Sequence, residues 1–265
     1  MQIDRLKIQQ LVRDVANRTL SPLINNVSRR YKKDGSIVTK ADEAVQTSLI
    51  DGLAEIYPDI ELLGEEMTAE QQQALIASGR PIWCLDPIDG TSNFAANLPF
   101  FAISLALIEK GEVTFGIVYD FSRDESFTAA KGQGAWLNDE VIEIQSPGLK
   151  LSETIAFVDY KRLPQSLAAQ LVTSRPYASQ RNLGSIALEL CWLSVGRGHI
   201  YLHGGQFLWD YAAGDLILSE SGGFSSTLRG KPSFESSLEP RSSCAAIDKT
   251  LFDDWQRYIE ERMDA

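Results

Sequence analysis

The segment WCLDPIDGTSNF, residues 83–94, joins an apolar run to a polar turn. Residues 82–85 predict a short buried strand. Pro87 predicts the end of that strand, because proline has no N–H for a sheet ladder and restricts the residue before it. Asp86 and Asp89 lie three positions apart, and carboxylates at this spacing in a turn can face the same side. The segment therefore predicts a functional site where a buried strand ends.

The residues of this turn suit phosphate chemistry. Asp86 and Asp89 could share a hard cation through oxygen ligands. Gly90 allows the backbone to come close to a ligand. A helix that starts near Thr91 would direct free N–H groups at an anion, and residues 93–98 predict a short helical turn.

Two other interpretations of the turn remain open. The first is an ordinary Asp-Gly turn with solvated aspartates. The second is a phosphatase of the haloacid dehalogenase type, whose nucleophilic aspartate lies in a D-x-D-G-T motif after a strand. The carboxylates here are one residue further apart, and about a third of the chain precedes them. The rest of the sequence has to decide between these possibilities.

Composition indicates a globular protein with an ordinary core. The chain has 265 residues, 44% of them hydrophobic, and a formal net charge of −11. This acidity argues against non-specific binding to nucleic acid or to an anionic membrane. No apolar run approaches the ~20 residues of a membrane span. Because residues 1–5 show no signal-peptide apolar region and the three cysteines form no C-x-x-C, we expect reduced cysteines in a cytoplasmic protein.

The histidine count and the motifs exclude several enzyme classes. His199 and His203 are the only histidines, which argues against histidine-rich zinc sites and a Ser-His-Asp hydrolase. No P-loop motif is present, and Gly196-Arg197-Gly198 lacks the third glycine of a dinucleotide-binding turn. The chemistry must therefore come mainly from carboxylates.

Periodicity predicts an α+β protein with two halves. The first half, residues 1–146, is expected to place helices on a mostly antiparallel sheet, and Ser146-Pro147-Gly148 is the best internal boundary. The second half, residues 147–265, is predicted to alternate strands and helices. The predicted helices share apolar spacing of the helical period, and the predicted strands share short apolar runs between turn residues. The predicted helices cover 2–24, 41–56, 164–173, 185–195, 209–221 and 251–263; the strands cover 60–64, 101–108, 113–119, 125–130, 135–137, 141–144, 154–158, 200–202, 224–227 and 243–247; residues 28–35 are predicted to form a loop.

Carboxylates also stand at the ends of other predicted elements. Glu65 and Glu66 follow a short strand, where a solvated charge pair is the simplest interpretation. Asp210 opens a helix, where an aspartate is usually a cap. Each has an ordinary explanation, but each also lies where a strand ends or a helix begins.

Taken together, these pieces resemble the inositol monophosphatase family, within the wider group of metal-dependent, lithium-sensitive sugar phosphatases. The resemblance covers nearly the whole chain, in family order and spacing. Its matching motifs are SIVTKAD (36–42), GEE (64–66), DPIDGTSNF (86–94), GQGAWLN (132–138), WDYAAG (209–214) and ESGG (220–223).

The resemblance implies a layered αβαβα sandwich, a site between the two halves, and a Mg²⁺-dependent phosphomonoesterase without a covalent enzyme intermediate. It implies two or three Mg²⁺ ions, direct attack of a metal-bound water, a small phosphate monoester as substrate, and a homodimer. The implied metal ligands are Glu65, Asp86, the Ile88 carbonyl, Asp89 and Asp210. Thr91, hydrogen-bonded to Asp42, would orient the attacking water together with Glu65. The implied substrate contacts are Asp89, Gly90, Thr91, Gly184, Ser185, His203 and Asp210.

Two departures from the family leave the substrate open. Lys33-Asp34-Gly35-Ser36 has serine where inositol-specific members more often have aspartate, a form also common in bisphosphate nucleotidases and histidinol-phosphate phosphatases. His203 stands seven residues before Asp210, where inositol-selective members carry a glutamate. We therefore expect His203 to line the mouth of the site and to favour an anionic or acceptor-rich leaving group. The alternatives are a 3'(2'),5'-bisphosphate nucleotidase, a histidinol-phosphate phosphatase, or a partner-binding protein with a vestigial site.

Overall fold

The computed structural model describes residues 3–24, 29–31 and 37–263. Its helices are α1 (Arg5–Thr19), α2 (Lys40–Ile56), α3 (Ala69–Ser78), α4 (Thr91–Ala95), α5 (Gln165–Thr173), α6 (Ile186–Ser194), α7 (Leu208–Glu220) and α8 (Lys249–Met263). Its strands are β1 (Arg29–Tyr31), β2 (Ile37–Thr39), β3 (Glu61–Gly64), β4 (Ile82–Asp89), β5 (Ala102–Glu109), β6 (Glu112–Asp120), β7 (Glu125–Ala130), β8 (Gly134–Leu137), β9 (Glu140–Ile142), β10 (Ile155–Asp159), β11 (Ser179–Arg181), β12 (Ile200–Gln206), β13 (Phe224–Ser226) and β14 (Arg241–Ala246).

Two sheets and three helical layers form the predicted αβαβα sandwich. The seven-stranded sheet has the order β3-β4-β5-β6-β7-β8-β9, and only the β3–β4 pair is parallel. The five-stranded sheet has the order β11-β10-β12-β14-β13. Helices α1 and α2 cover one face of the larger sheet. Helices α6 and α7 fill the space between the sheets, and α5 and α8 pack together on the smaller sheet.

Strand β4 shows how the sequence builds both cores. Trp83 and Leu85 are completely buried against α1 and α2. Cys84 points the other way, into the core that contains α6 and α7. This alternation follows from the two-residue period of a strand. Asp86 continues the alternation on the Cys84 side, which is where α7 delivers Asp210.

The prediction that Pro87 ends this strand was wrong. Strand β4 continues to Asp89, and its pairing with β5 shifts register between Asp86 and Asp89. Proline cannot donate to the ladder, so the chain accommodates it in a local irregularity instead of stopping. The irregularity lets Asp86 and Asp89 both border the same cavity.

Helix α7 lies tightly against the central strands of the larger sheet. A Cβ added at Gly116 of β6 would lie 3.0 Å from the Cα of Ala213. On the α6 side of the same helix, a Cβ added at Gly214 would lie 3.0 Å from the Cβ of Leu190 of α6. These small residues let α6, α7 and the sheet approach closely, and that approach fixes the position of Asp210 relative to β4.

Most predicted elements are present within a few residues, but some were missed. Helix α3 was not predicted, because it buries only Gln72 and has no apolar stripe for a periodicity argument. Strand β11 was also missed. Within the predicted loop at 28–35, Arg29–Tyr31 instead pair with Ile37–Thr39 as a small ribbon, while the rest of that loop and the 33–36 motif lie outside the described residues.

Two expectations from composition can be compared with the structure. Cys84, Cys191 and Cys244 are buried free thiols, as predicted. Across residues 3–24, 29–31 and 37–263, none of the helices is both apolar and long enough to span a bilayer.

Candidate active site

A cavity of about 210 Å³ opens where the ends of β4, β10 and β12 meet the beginnings of α4, α6 and α7. Both sheets and the helices between them contribute to its wall. Its lining residues are Glu65, Asp86, Ile88, Asp89, Gly90, Thr91, Asp159, Lys161, Arg162, Asn182, Gly184, Ser185, Ile186, Glu189, His203, Phe207, Trp209 and Asp210. Of the site residues predicted from the sequence, the structure brings all but Asp42 into this lining, and Asp42 lies directly behind Thr91.

Three aspartates are held in the cavity wall by protein donors. Ile88 donates its N–H to Asp86 Oδ1 at 3.0 Å. Asp89 Oδ2 accepts the Ser185 hydroxyl at 2.6 Å and the Ala187 N–H at 2.7 Å. Those donors fix Asp89 across the gap between β4 and α6.

Asp210 is delivered by the first turn of α7. Its Oδ2 accepts the Phe207 N–H at 2.8 Å, so the carboxylate also caps the helix as its local sequence indicated. Glu65 follows β3, and its N–H donates to Leu85 O at 3.1 Å. That contact ties Glu65 to the strand that carries Asp86.

The carboxylates of this cavity repel one another. Burial raises the pKa of Asp86 well above its ordinary value, and the charges of Glu65, Asp89 and Asp210 raise it further. Burial likewise raises the pKa of Asp210, with Asp89 and Glu65 adding to the effect. The pKa of Asp89 rises to about 6, mainly through burial, although hydrogen bonds from Ser185 and backbone N–H groups oppose the shift.

This donor set fits a hard divalent cation. Among the described residues, Asp86, Asp89 and Asp210 form no ion pair with a lysine or arginine. Grouped anions without a basic partner need a counter-charge, and oxygen ligands suit Mg²⁺. Within the same residues, no three His, Cys, Asp or Glu side chains stand as a ready-made ligand set.

Thr91 lies between the strand and the start of α2. Its hydroxyl is 2.9 Å from Ile88 O and 3.3 Å from Asp42 Oδ1. Asp42 Oδ2 is occupied by the N–H and the hydroxyl of Thr39, each at 2.7 Å. Burial raises the pKa of Asp42 to about 6 despite those bonds. The Thr91 hydroxyl therefore has two acceptors within reach and one proton to give.

The glycine turns beside the aspartates join the two halves of the protein. Gly90 has φ +95°, and a Cβ there would lie 3.1 Å from both Gly184 O and Phe100 O. Asn93 donates from its amide nitrogen to Phe100 O and to Leu183 O, both at 2.7 Å. The backbone of residues 90–91 thus borders the cavity with little room for a side chain at position 90.

Glu189 is a site residue that the sequence did not reveal. It is buried on α6, and it accepts the N–H of Leu183 at 2.6 Å and that of Gly184 at 3.3 Å. Burial raises its pKa to about 8, and Asp89 adds to this effect against the two hydrogen bonds. It supports the turn from which Ser185 reaches Asp89. A glutamate inside an apolar helix pattern gave no signal of this role.

The structure places His203 in the cavity lining, but its ring faces another residue. Gly205 donates its N–H to Nδ1 at 3.2 Å, so the neutral ring carries its proton on Nε2. That Nε2 lies 3.5 Å from Asp159 Oδ2. Asp159 stands opposite His203 on the neighbouring parallel strand. The Nε2 proton of His203 is therefore directed at Asp159.

Comparisons with known proteins agree on one family. A family model described as "Inositol monophosphatase family" matches residues 4–260. The Nus factor SuhB of Pasteurella multocida is 35% identical over 242 residues, covering 89% of each chain. The inositol-1-monophosphatase of Bacillus subtilis is 33% identical over 226 residues, covering 83% of each. The solved structure of the Thermotoga maritima IMPase superposes with a TM-score of 0.83 at 30% identity, covering 99% of each chain.

We predict that Glu189→Gln removes part of the pH dependence of stability. The folded-state pKa of Glu189 lies above its ordinary value of 4.5, at about 8. The folded protein therefore binds more protons at this site than the unfolded chain, and its contribution to stability is lost as pH rises through that window. Glutamine can accept the same N–H bonds without ionising.

Urea unfolding in EDTA at the two ends of the window measures this effect. The difference in unfolding free energy, variant minus wild type, should increase from pH 5 to pH 8. Glu140→Gln, which changes an exposed glutamate, controls for the loss of one charge. A difference that is the same at both pH values would contradict the role given to Glu189.

Proposed function

Because the chain belongs to the inositol monophosphatase family, we propose that it is a Mg²⁺-dependent phosphomonoesterase. Its substrate would be a small polyol or sugar phosphate, and water would attack the phosphorus directly. The observation that carries this proposal is the group of aspartates that, among the described residues, form no ion pair with a lysine or arginine and lie beside the Gly90–Thr91 backbone. An anionic cluster next to an anion-binding turn requires cations to bring a phosphate ester in.

The proposed metal ligands divide into two overlapping sets. Glu65, Asp86 and the Ile88 carbonyl would hold one Mg²⁺, while Asp86, Asp89 and Asp210 would hold a second, with a third ion possible at high Mg²⁺. When bound, such ions stabilise the charge on the attacking and leaving oxygens of an in-line displacement. Ser185 and the Ala187 N–H keep Asp89 oriented toward this site.

The protein's own groups would handle the proton and the phosphate. Thr91 would orient the attacking water, passing its hydroxyl proton toward Asp42 Oδ1, 3.3 Å away. Glu65, which borders the same part of the cavity, would assist as a second acceptor. The N–H groups of Gly90 and Thr91 would hold phosphate oxygens. Thr91 is the first residue of α4, and the N–H groups at the start of a helix have no acceptor within that helix.

The Bacillus subtilis relative named for inositol-1-phosphate hydrolysis supports inositol phosphate as one substrate. A 3'(2'),5'-bisphosphate nucleotidase or histidinol-phosphate phosphatase remains the alternative within the same chemistry. From the family resemblance we further propose lithium inhibition, a homodimer and a cytoplasmic location.

A partner-binding role is the second candidate, favoured by the 35% identity to a protein named Nus factor SuhB. Such a role does not require turnover, so it is separated from catalysis by a phosphatase assay. The panel is inositol 1-phosphate, glycerol 2-phosphate, fructose 1,6-bisphosphate, adenosine 3',5'-bisphosphate and histidinol phosphate. We expect phosphate release that depends on Mg²⁺. No release from any of the five at saturating Mg²⁺ would reject the enzymatic proposal.

Removing one anionic ligand should nearly abolish turnover. We predict that Asp89→Asn and Asp210→Asn each lower kcat on the order of 10³-fold, because a catalytic metal contributes several kcal/mol to the transition state. The rise in melting temperature with Mg²⁺ should also shrink. Asp253→Asn, on the exposed side of α8, is the matched control. Full activity in either site variant at ordinary Mg²⁺ would refute the two-metal assignment.

Thr91→Val separates the proton path from metal binding. It keeps the side-chain volume but removes the hydroxyl, so we predict a loss in kcat on the order of 10²-fold, the usual range for a positioned proton-transfer group. The Mg²⁺-induced rise in melting temperature should persist. Thr173→Val, at an exposed position of α5, is the control. Rapid-quench detection of a phosphoaspartate would instead support the dehalogenase-type mechanism.

A further inference from the structure

The cavity lining combines carboxylates with two basic side chains. Carboxylates dominate the side formed by β4 and α7, as described above. The turn after β10 supplies Lys161 and Arg162 to the same lining, together with Asp159. Arg162 lies near the start of α7, and its charge lowers the pKa of Asp210 against the effect of burial. Under the proposed function, a substrate whose phosphate lies at residues 90–91 would bring its alcohol part into this same cavity.

The turn that carries these basic residues is held firmly in place. Lys161 donates its N–H to Asp159 Oδ1 at 2.7 Å, and its Nζ lies 3.6 Å from Asp159 Oδ2. A Cβ added at Gly204 of β12 would lie 1.8 Å from Arg162 O. The turn can therefore lie directly on β12 only because residue 204 is glycine. Leu163, the next residue, is buried in the core.

Of the two basic residues in this turn, Lys161 is paired with a carboxylate and, among the described residues, Arg162 is not. Lys161 and Asp159 offset each other. Burial would raise the pKa of Asp159, but hydrogen bonds from His203 and the Lys161 N–H, together with the charge of Lys161, hold it at about 2. In the described part of the chain Arg162 forms no ion pair with a carboxylate, although its charge reaches Asp210 and lowers the pKa of that group. Its guanidinium carbon lies 5.8 Å from the centre of the Phe207 ring.

Arg162 lies over the ring of Phe207, the residue that precedes α7. Phe207 stacks on Trp209, with ring centres 5.3 Å apart and planes at 14°. Both rings border the cavity immediately before Asp210. A guanidinium held over an aromatic face keeps its N–H donors available for an oxyanion. Arg162 is thus an exposed cation at a defined position on the rim.

We propose that Arg162, assisted by Lys161, forms a subsite for a second anionic group on the alcohol part of the substrate. This inference rests on the proposed phosphatase function and names the substrate class: small phosphate monoesters that also carry a phosphate or carboxylate. Arg162 would be the residue that distinguishes them from neutral polyol phosphates.

The same wall offers little to a neutral polyol. His203 donates to Asp159, and both Asp159 oxygens already accept or pair with Lys161 or His203. The ring hydroxyls of a polyol would therefore find few free acceptors here. Burying hydroxyls without hydrogen-bond partners weakens the binding of such a ligand. A second anionic group would instead meet the guanidinium of Arg162, which can donate two parallel N–H hydrogen bonds to a phosphate or carboxylate.

Two matched substrate pairs test the inference. Fructose 1,6-bisphosphate is compared with fructose 1-phosphate, and adenosine 3',5'-bisphosphate with adenosine 3'-monophosphate. For each pair the ratio of kcat/KM, bisphosphate over monophosphate, is measured in wild type and Arg162→Gln. We expect wild type to favour the bisphosphate in at least one pair. Arg162→Gln should lower that ratio about ten-fold, the effect of losing a hydrogen bond to a charged group.

Two further variants define the cause. Arg162→Lys keeps the charge and should retain part of the preference. Arg257→Gln removes an exposed charge from α8, outside the cavity lining, and should retain all of it. The pair that shows the effect also identifies whether the second phosphate belongs to a sugar or a nucleotide.

Several outcomes would overturn the inference while leaving the phosphatase proposal intact. These are the absence of any bisphosphate preference in wild type, or an unchanged ratio in Arg162→Gln. An equal loss of kcat/KM on the bisphosphate and the monophosphate of a pair would also overturn the inference, since it would place Arg162 against the transferred phosphate.

If wild type hydrolyses none of the four compounds, the five-compound panel described above decides the proposed function, and melting temperatures decide the inference. A rise with the bisphosphate that exceeds the rise with the monophosphate, and that Arg162→Gln removes, supports it. Equal rises overturn it.

Discussion

Mutual repulsion among buried carboxylates is the constraint on which the site depends. Asp86 and Asp89 on one strand and Asp210 on a helix converge at the junction of two sheets, where burial already penalises a negative charge. Hydrogen bonds from Ser185 and the Phe207 N–H hold two of them in place. Such a cluster persists because folding delivers it on rigid elements, and its charge is what a divalent cation would offset.

The sequence could point to Asp86 and Asp89 as candidate ligands because their motif is local. Asp86 and Asp89 lie within four residues, and the αβαβα fold follows from the same family-wide pattern. What it could not predict is how the chain accommodates Pro87. Proline stops a ladder only when neighbouring strands cannot adjust, and here the pairing with β5 shifts and continues to Asp89. The end of β4 is determined by its pairing with β5, which the local sequence pattern does not contain.

Contacts between segments distant in the sequence account for the other features of the site that the sequence did not predict. His203 and Asp159 are 44 positions apart, and only the parallel register of β10 and β12 brings them together. Glu189 supports a turn through backbone N–H groups, which carry no sequence signature. Arg162 gains its position from a glycine on another strand. The proposed metal ligands are therefore readable from motifs, whereas the positions of Asp159, Arg162 and Glu189 depend on packing.

Calorimetric titration with Mg²⁺ tests the central claim most directly. It would be run near pH 6, the value to which burial raises the pKa of Asp42 and Asp89, in two buffers of different ionisation enthalpy. Since carboxylate ligands must be deprotonated to bind a metal, the account predicts saturable binding accompanied by proton release. Absence of saturable binding, or binding without release of protons, would contradict it.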